Sequence, residues 1–197
     1  MKLTTKIAAT VLAVSLFAAP AFAWKLVKRG EGTVIAKSAL VVTAEQDWNR
    51  VTSGYAKNSE IWTLDGTTLN ELYLIGGAPA NATLFYELDK KNNPLPRFTD
   101  QTTLTDLPDL VERSWRVGRR TAVFKLGTIE PAKLGGRDAV RIAYEYVSDN
   151  SHLTYKGLLT AAIVDKKLYI IDFEAPALYF FDRDKAKAEA VMASAKF

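Results

Sequence analysis

The chain has no cysteine and a single histidine among its 197 residues. The first absence excludes a thiol nucleophile, a thiolate metal site and any disulfide, so stability rests on apolar packing. The second leaves His152 as the one imidazole, too few for a histidine metal cage. His152 follows the polar run Ser148-Asp149-Asn150-Ser151, where a solvated turn is the expected setting. Excess charge is also scarce: 26 basic residues stand against 22 acidic ones. Tracts of Ser, Gly or Pro are missing, so nothing marks a linker or a disordered tail.

One long apolar run exists, and it comes at the start. Met1 to Lys6 carries Lys2 and Lys6 without an acid, Ile7 to Ala19 is an apolar stretch of 13 residues, and Pro20-Ala21-Phe22-Ala23 ends in a small-x-small pattern. These features predict a signal peptide over residues 1–23, cut between Ala23 and Trp24. The stretch falls short of the roughly 20 residues that cross a bilayer, so the remaining chain is not expected to be an integral membrane protein. No cysteine follows the cut to carry a lipid, and no paired arginines precede the run, which favours the general export route. The expectation is a soluble periplasmic or secreted protein, with residues 24–197 as one globular domain. The leader removes two basic residues and leaves a side-chain charge of +2, too little for a nucleic-acid footprint.

Beyond the cut, Leu26-Val27, Thr33-Val34-Ile35 and Leu40-Val41-Val42 read as short strands around Gly30 and Gly32. Trp48 and Val51, three apart, suggest a short helical turn. Glu60 to Gly66 alternates β-formers and closes with Asp-Gly, the signature of a hairpin turn, before an apolar run from Leu69 to Ile75 that Gly76-Gly77 is expected to terminate. Lys90 to Pro96 reads as an exposed loop. A helix is predicted from about Asp106 to Gly118, since Leu107, Leu110, Val111, Ser114 and Trp115 share one face. Val140, Ile142, Tyr144 and Tyr146 then alternate as a half-buried strand, and Leu158 to Val164 with Leu168 to Phe173 form an antiparallel hairpin over Asp165-Lys166-Lys167. From about Arg183, Ala188, Val191, Met192 and Ala195 keep helical spacing.

These elements predict an α+β fold, a mostly antiparallel sheet covered by helices as an α/β/α sandwich. The run Gly135-Gly136-Arg137-Asp138-Ala139-Val140-Arg141-Ile142-Ala143-Tyr144, the segment Asp165 to Pro176 and the terminal helix resemble the C-terminal half of the PsbP/Mog1-like superfamily. The segment Glu60 to Gly66 with Leu69-Asn70-Glu71-Leu72 also resembles exported bacterial proteins without an assigned activity. Members of the superfamily act mostly as accessory or partner-binding proteins. The resemblance therefore implies a non-catalytic envelope module whose partner is an envelope protein or a lipid, and it brings no cofactor and no metal ligand to this chain.

Candidate chemistry is sparse. No Gly-x-Ser-x-Gly elbow is present, and Gly76-Gly77 and Gly135-Gly136 lack both dinucleotide and Walker spacing. Asp172 and Glu174 share one strand face. They are read as lying at the solvent end of a strand whose core face is Tyr169, Ile171 and Phe173; burial with Leu168 and Ile170 would instead raise the Asp172 pKa. With Asp65 they make the alternative of a carboxylate-dependent hydrolase. Arg113, Arg116, Arg119 and Arg120 form the densest basic cluster, suited to a helix C-terminus with Asp109 and Glu112 as partners or to an anionic headgroup. Tyr179, Phe180 and Phe181 either cap the core before the last helix or join those arginines as a partner or lipid surface, which gives the peripheral membrane alternative.

Overall fold

Alternation along the long strands builds the architecture. The computed structural model describes residues 24–51, 53–121 and 123–197; the leader expected over residues 1–23 lies outside them. Trp24, just past the expected cut, is exposed. In chain order the strands are β1 (Lys25–Val27), β2 (Gly32–Val34), β3 (Val41–Thr43), β4 (Trp48–Val51), β5 (Ser59–Thr63) and β6 (Glu71–Ala78). A 3-10 turn, Leu104–Asp106, leads into α1 (Leu107–Gly118). Then follow β7 (Val123–Leu134), β8 (Arg137–Val147), β9 (Thr154–Val164), β10 (Lys167–Pro176) and α2 (Phe180–Ala193). Eight strands form one sheet in the order β1-β4-β5-β6-β10-β9-β8-β7, with antiparallel pairing throughout, while β2 and β3 pair separately.

Each face of the sheet carries a helix, giving the predicted α+β sandwich. On one face α1 lays Leu107, Leu110, Val111 and Trp115 over Tyr73, Ile142, Tyr144, Leu159 and Ile170. On the other, α2 lays Ala188, Val191 and Met192 over Leu72, Leu74, Ile171 and Phe173. Each buried Leu, Ile, Val, Met or Phe among these stabilises the fold by about 1.5–3 kcal/mol through lost apolar exposure. Because β10 is central and covered on both faces, all of it beyond Lys167 is buried.

Turn chemistry is local. Asp165 and Lys166 both take positive φ, 49° and 58°, as the two-residue turn between β9 and β10 requires. Gly135 and Gly136 do the same between β7 and β8.

Two expectations are corrected, and one strand is added. Trp48–Val51 is strand β4, not a helical turn: it pairs with β1 and β5, and its geometry is set by those partners. Gly76-Gly77 does not end β6. Gly77, at φ 75°, forms a bulge where Ile75 and Ala78 face Ile170 and Leu168, so the strand bends and continues. Finally β7, a long strand that no alternation announced, lies at the sheet edge, mostly exposed, where Pro131 is tolerated.

Candidate functional site

Register brings the site together. Across β6 and β10, Glu71 lies opposite Glu174 and Tyr73 opposite Asp172, so three carboxylates meet on the α1 face of the sheet. Asp172 has no exposure, and Glu71 and Glu174 are 3% exposed each. The expectation that Asp172 and Glu174 lie at a solvent end is overturned: β10 is a central strand, and Ile170 and Leu168 are buried with them.

Tyr144 reaches these acids from β8, over the intervening strand. The register runs Tyr144, Gly157, Glu174 across β8, β9 and β10. Only a glycine leaves room there, since a Cβ on residue 157 would stand 2.0 Å from Tyr144 Cζ. The Tyr144 hydroxyl consequently lies 2.8 Å from both Asp172 oxygens and 2.7 Å from Glu174 Oε1. From α1, the Trp115 Nε1–H is 2.8 Å from both Tyr144 Oη and Glu174 Oε1.

Arg119, at the C-terminal end of α1, supplies the positive charge. Its Nη2 donates to Glu71 Oε1 at 2.5 Å and lies 2.6 Å from Glu174 Oε2, and its guanidinium sits 4.6 Å from the centre of the Tyr55 ring. Tyr55 in turn donates to Glu71 Oε2 at 2.6 Å. The guanidinium thus holds the place between Glu71 and Glu174 that a bound cation would take. Among the described residues, no group of three or more histidine, aspartate and glutamate side chains is arranged to hold a metal ion.

Burial pushes the Asp172 carboxyl well above its usual range, with the Glu174 charge adding to the effect. Burial also raises Glu71, against the opposing pull of Arg119. Tyr144 is raised well above its ordinary value by burial and by both neighbouring acids, so it stays a hydroxyl. The cluster borders a cavity of about 230 Å3 lined by Glu71, Arg119, Glu174, Tyr55, Tyr146 and Tyr155 among others.

The other sequence candidates scatter. Arg113 is exposed and pairs with Asp109, and Arg116 pairs with Glu112 at 2.8 Å and donates to the Phe124 carbonyl. Arg120 is exposed, whereas the Arg119 side chain keeps only 12% of its exposure and so leaves the surface set. Phe180 and Phe181 belong to α2, and Phe181 is buried against Phe173. Tyr179 remains 59% exposed and Leu178, beside it, 97%. Asp65 does not join Asp172 and Glu174: it pairs with Arg183 of α2, with Asn70 bridging Asp65 and the buried Asp184. His152 is exposed in a turn at φ 54°.

Sequence reasoning missed Glu71 and Tyr144 as site residues. The one available signal was Gly157, a glycine at the head of an apolar strand, which marks close approach of another group.

No family model matches the chain, and no curated protein matches it. The solution structure of cyanobacterial PsbP (CyanoP) from Synechocystis sp. PCC 6803 is similar in fold: 15% identity, 92% of this chain and 96% of that one covered, TM-score 0.54. A 1.50 Å crystal structure from Bacteroides thetaiotaomicron VPI-5482 aligns at 11% identity over 80% of this chain and 44% of that one, TM-score 0.47. LpqN, described as involved in cell envelope biogenesis of Mycobacterium tuberculosis, aligns at 11% identity over 87% and 88%, TM-score 0.34. The likeness to CyanoP is one of fold, and it extends over nearly the whole chain the resemblance first seen in the C-terminal segments.

Proposed function

We propose that this chain is an exported, non-catalytic binding module of the cell envelope that engages a partner protein through one end of its sheet. The observation that carries the reading is the exposed Leu178, Tyr179 and Leu153 beside the mouth of the Arg119 cavity. Adjacency follows from hydrogen bonds. Ser148, on the cavity wall, donates to the Leu153 carbonyl at 3.0 Å, and Ala177 donates to the Thr154 carbonyl at 2.8 Å. Apolar side chains held this far out of the core, around a charged and aromatic depression, have the composition of a contact surface.

The distribution of carboxylates supports binding over hydrolysis. Asp65 lies in the α2 network, while Asp172 is sealed under Trp115 and Tyr144, and general acid or base work needs a group within reach of substrate. The peripheral membrane reading keeps Tyr179, with Arg183 5.5 Å from the centre of its ring, but loses Phe181 and Arg119 to the core.

A photo-crosslinking residue placed at Leu178 or Leu153 in whole cells tests the proposal, with Lys166 at the far end of β9 and β10 as control. Discrete protein adducts from Leu178 and Leu153, absent from Lys166, are expected, and Tyr179→Asp should cut the Leu153 adduct at least about tenfold. Adducts to lipid alone would move the reading to a membrane surface; no adduct above the control would reject both.

A further inference from the structure

Hydrogen atoms are too few around Tyr144 for both of its acid neighbours to be charged. The hydroxyl has one hydrogen, yet its oxygen is 2.8 Å from both oxygens of Asp172 and 2.7 Å from Glu174 Oε1. Trp115 brings one more N–H, shared between Tyr144 Oη and Glu174 Oε1 at 2.8 Å each. With both carboxylates ionised, the Tyr144 hydrogen serves one of them and leaves a bare oxygen–oxygen contact with the other. Such a contact between buried acceptors is strongly unfavourable.

We propose that Asp172 is a proton-binding site, carried as the neutral acid at neutral pH, with a directed chain running from Asp172 through Tyr144 to Glu174. In this chain the Asp172 hydroxyl donates to Tyr144 Oη, and the Tyr144 hydroxyl donates to Glu174 Oε1. Glu174 is the acceptor that ends the chain, with Arg119 2.6 Å from its other oxygen. Among the described residues Asp172 bonds to no cation, and it is fully buried. The groups facing Asp172 from the surrounding elements agree with this assignment: Glu71 and Tyr73 on β6, Leu159 and Gly157 on β9, Tyr144 and Tyr146 on β8, Trp115 and Arg119 from α1, Ile170 and Glu174 on its own strand. Arg119 is the cation in that set, and its Nη2 contacts are with the two glutamates. The raised carboxyl of Asp172 points the same way.

Folding then takes up a proton. The unfolded aspartate titrates near pH 3.9, and the folded one well above that, so the folded state holds more protons over the interval between them. Stability contributed by this proton is fully present below the unfolded value and falls as pH rises toward the folded one. Within the interval the unfolding constant gains about tenfold per pH unit from this group.

Infrared spectroscopy of the intact protein at pH 7 reads the protonation state directly. A protonated-carboxyl carbonyl band, shifted in heavy water and absent from Asp172→Asn, is expected. The amide side chain of the variant keeps a neutral donor toward Tyr144, so it should fold. A wild-type measurement stands without it: unfolding at pH 7 in weak buffer should release one proton more from the wild type than from Asp172→Asn, and the wild type should lose more stability than the variant from pH 5 to pH 8, the remainder in the variant coming from Glu71. A wild type with no such band and no such loss overturns the proposal.

Discussion

Each face of the sheet buries an aspartate, and the two are treated oppositely. Asp184, on the α2 face, has no exposure but is 2.5 Å from Arg183 Nη2, 2.8 Å from Lys187 Nζ and 3.1 Å from Asn70 Nδ2. Burial pushes its carboxyl up, yet those cations and their hydrogen bonds outweigh it, and the group ends below its usual range. Asp172, on the α1 face, likewise has no exposure but lies deeper in the protein, meets one hydroxyl and, among the described residues, no direct cation, and ends well above. Lack of surface exposure therefore does not by itself decide whether a carboxylate is charged; depth and the supply of donors decide it together. The cations of Asp184 emerge from a helix at the surface, where Arg183 and Lys187 keep their own hydration, while the α1 face has one guanidinium already divided between two glutamates.

The largest break in this contrast should come from Arg119→Met. Removing the guanidinium leaves Glu71 and Glu174 facing each other across β6 and β10, and breaking a buried pair in this way costs about 3–5 kcal/mol. A fall of that size in denaturant unfolding at pH 7 is expected, partly recovered at pH 5 where a second carboxyl takes up a proton. A loss under about 1 kcal/mol would mean the glutamates remain hydrated and the α1 face is not a closed acid cluster. Gly157→Ala should come next, at about 1–3 kcal/mol, because the new methyl drives into the Tyr144 ring. Gly127→Ala is its control: there the nearest atom to a new Cβ is 3.2 Å away, and the change should be well under that of Gly157→Ala. Equal effects of the two would show that Tyr144 is not held over β9.

Periodicity made most of the sandwich readable and hid the site. The i, i+3, i+4 face of α1 and the alternation of β8 are written in single segments, as are the Asp165-Lys166 turn and the helical spacing of α2. Strand β4 was misread because Trp48 and Val51 are three apart, and its short, half-buried pattern is decided by pairing with β1 and β5. β7 escaped because an edge strand needs no apolar alternation. The acid cluster depends on facts that no segment holds: that β10 is central, that Glu71 falls opposite Glu174, and that Tyr144 crosses Gly157. Arg119 looked like its neighbours Arg116 and Arg120 for the same reason. What separates them is that the chain leaves α1 at Arg119, where the side chain turns under the sheet end toward Glu71.

The smallest expected effect is the most discriminating. Asp184→Asn removes one charge from a network whose cations are partly hydrated, 29% exposed for Arg183 and 41% for Lys187, so about 1–2 kcal/mol should be lost at pH 7. Its pH dependence carries the information. Asp184 is held below its unfolded value, so its contribution is present above about pH 4 and disappears as pH falls through the lower, folded value. The acid limb of the wild-type stability profile should therefore flatten in Asp184→Asn, while the decline from pH 5 to pH 8 persists. Asp172→Asn should do the reverse, keeping the acid limb and reducing the decline to what Glu71 contributes. Denaturant midpoints for the three proteins across pH 3 to 8 decide it. If both variants flatten the same limb, the two faces do not hold their aspartates in opposite charge states, and the comparison between them fails.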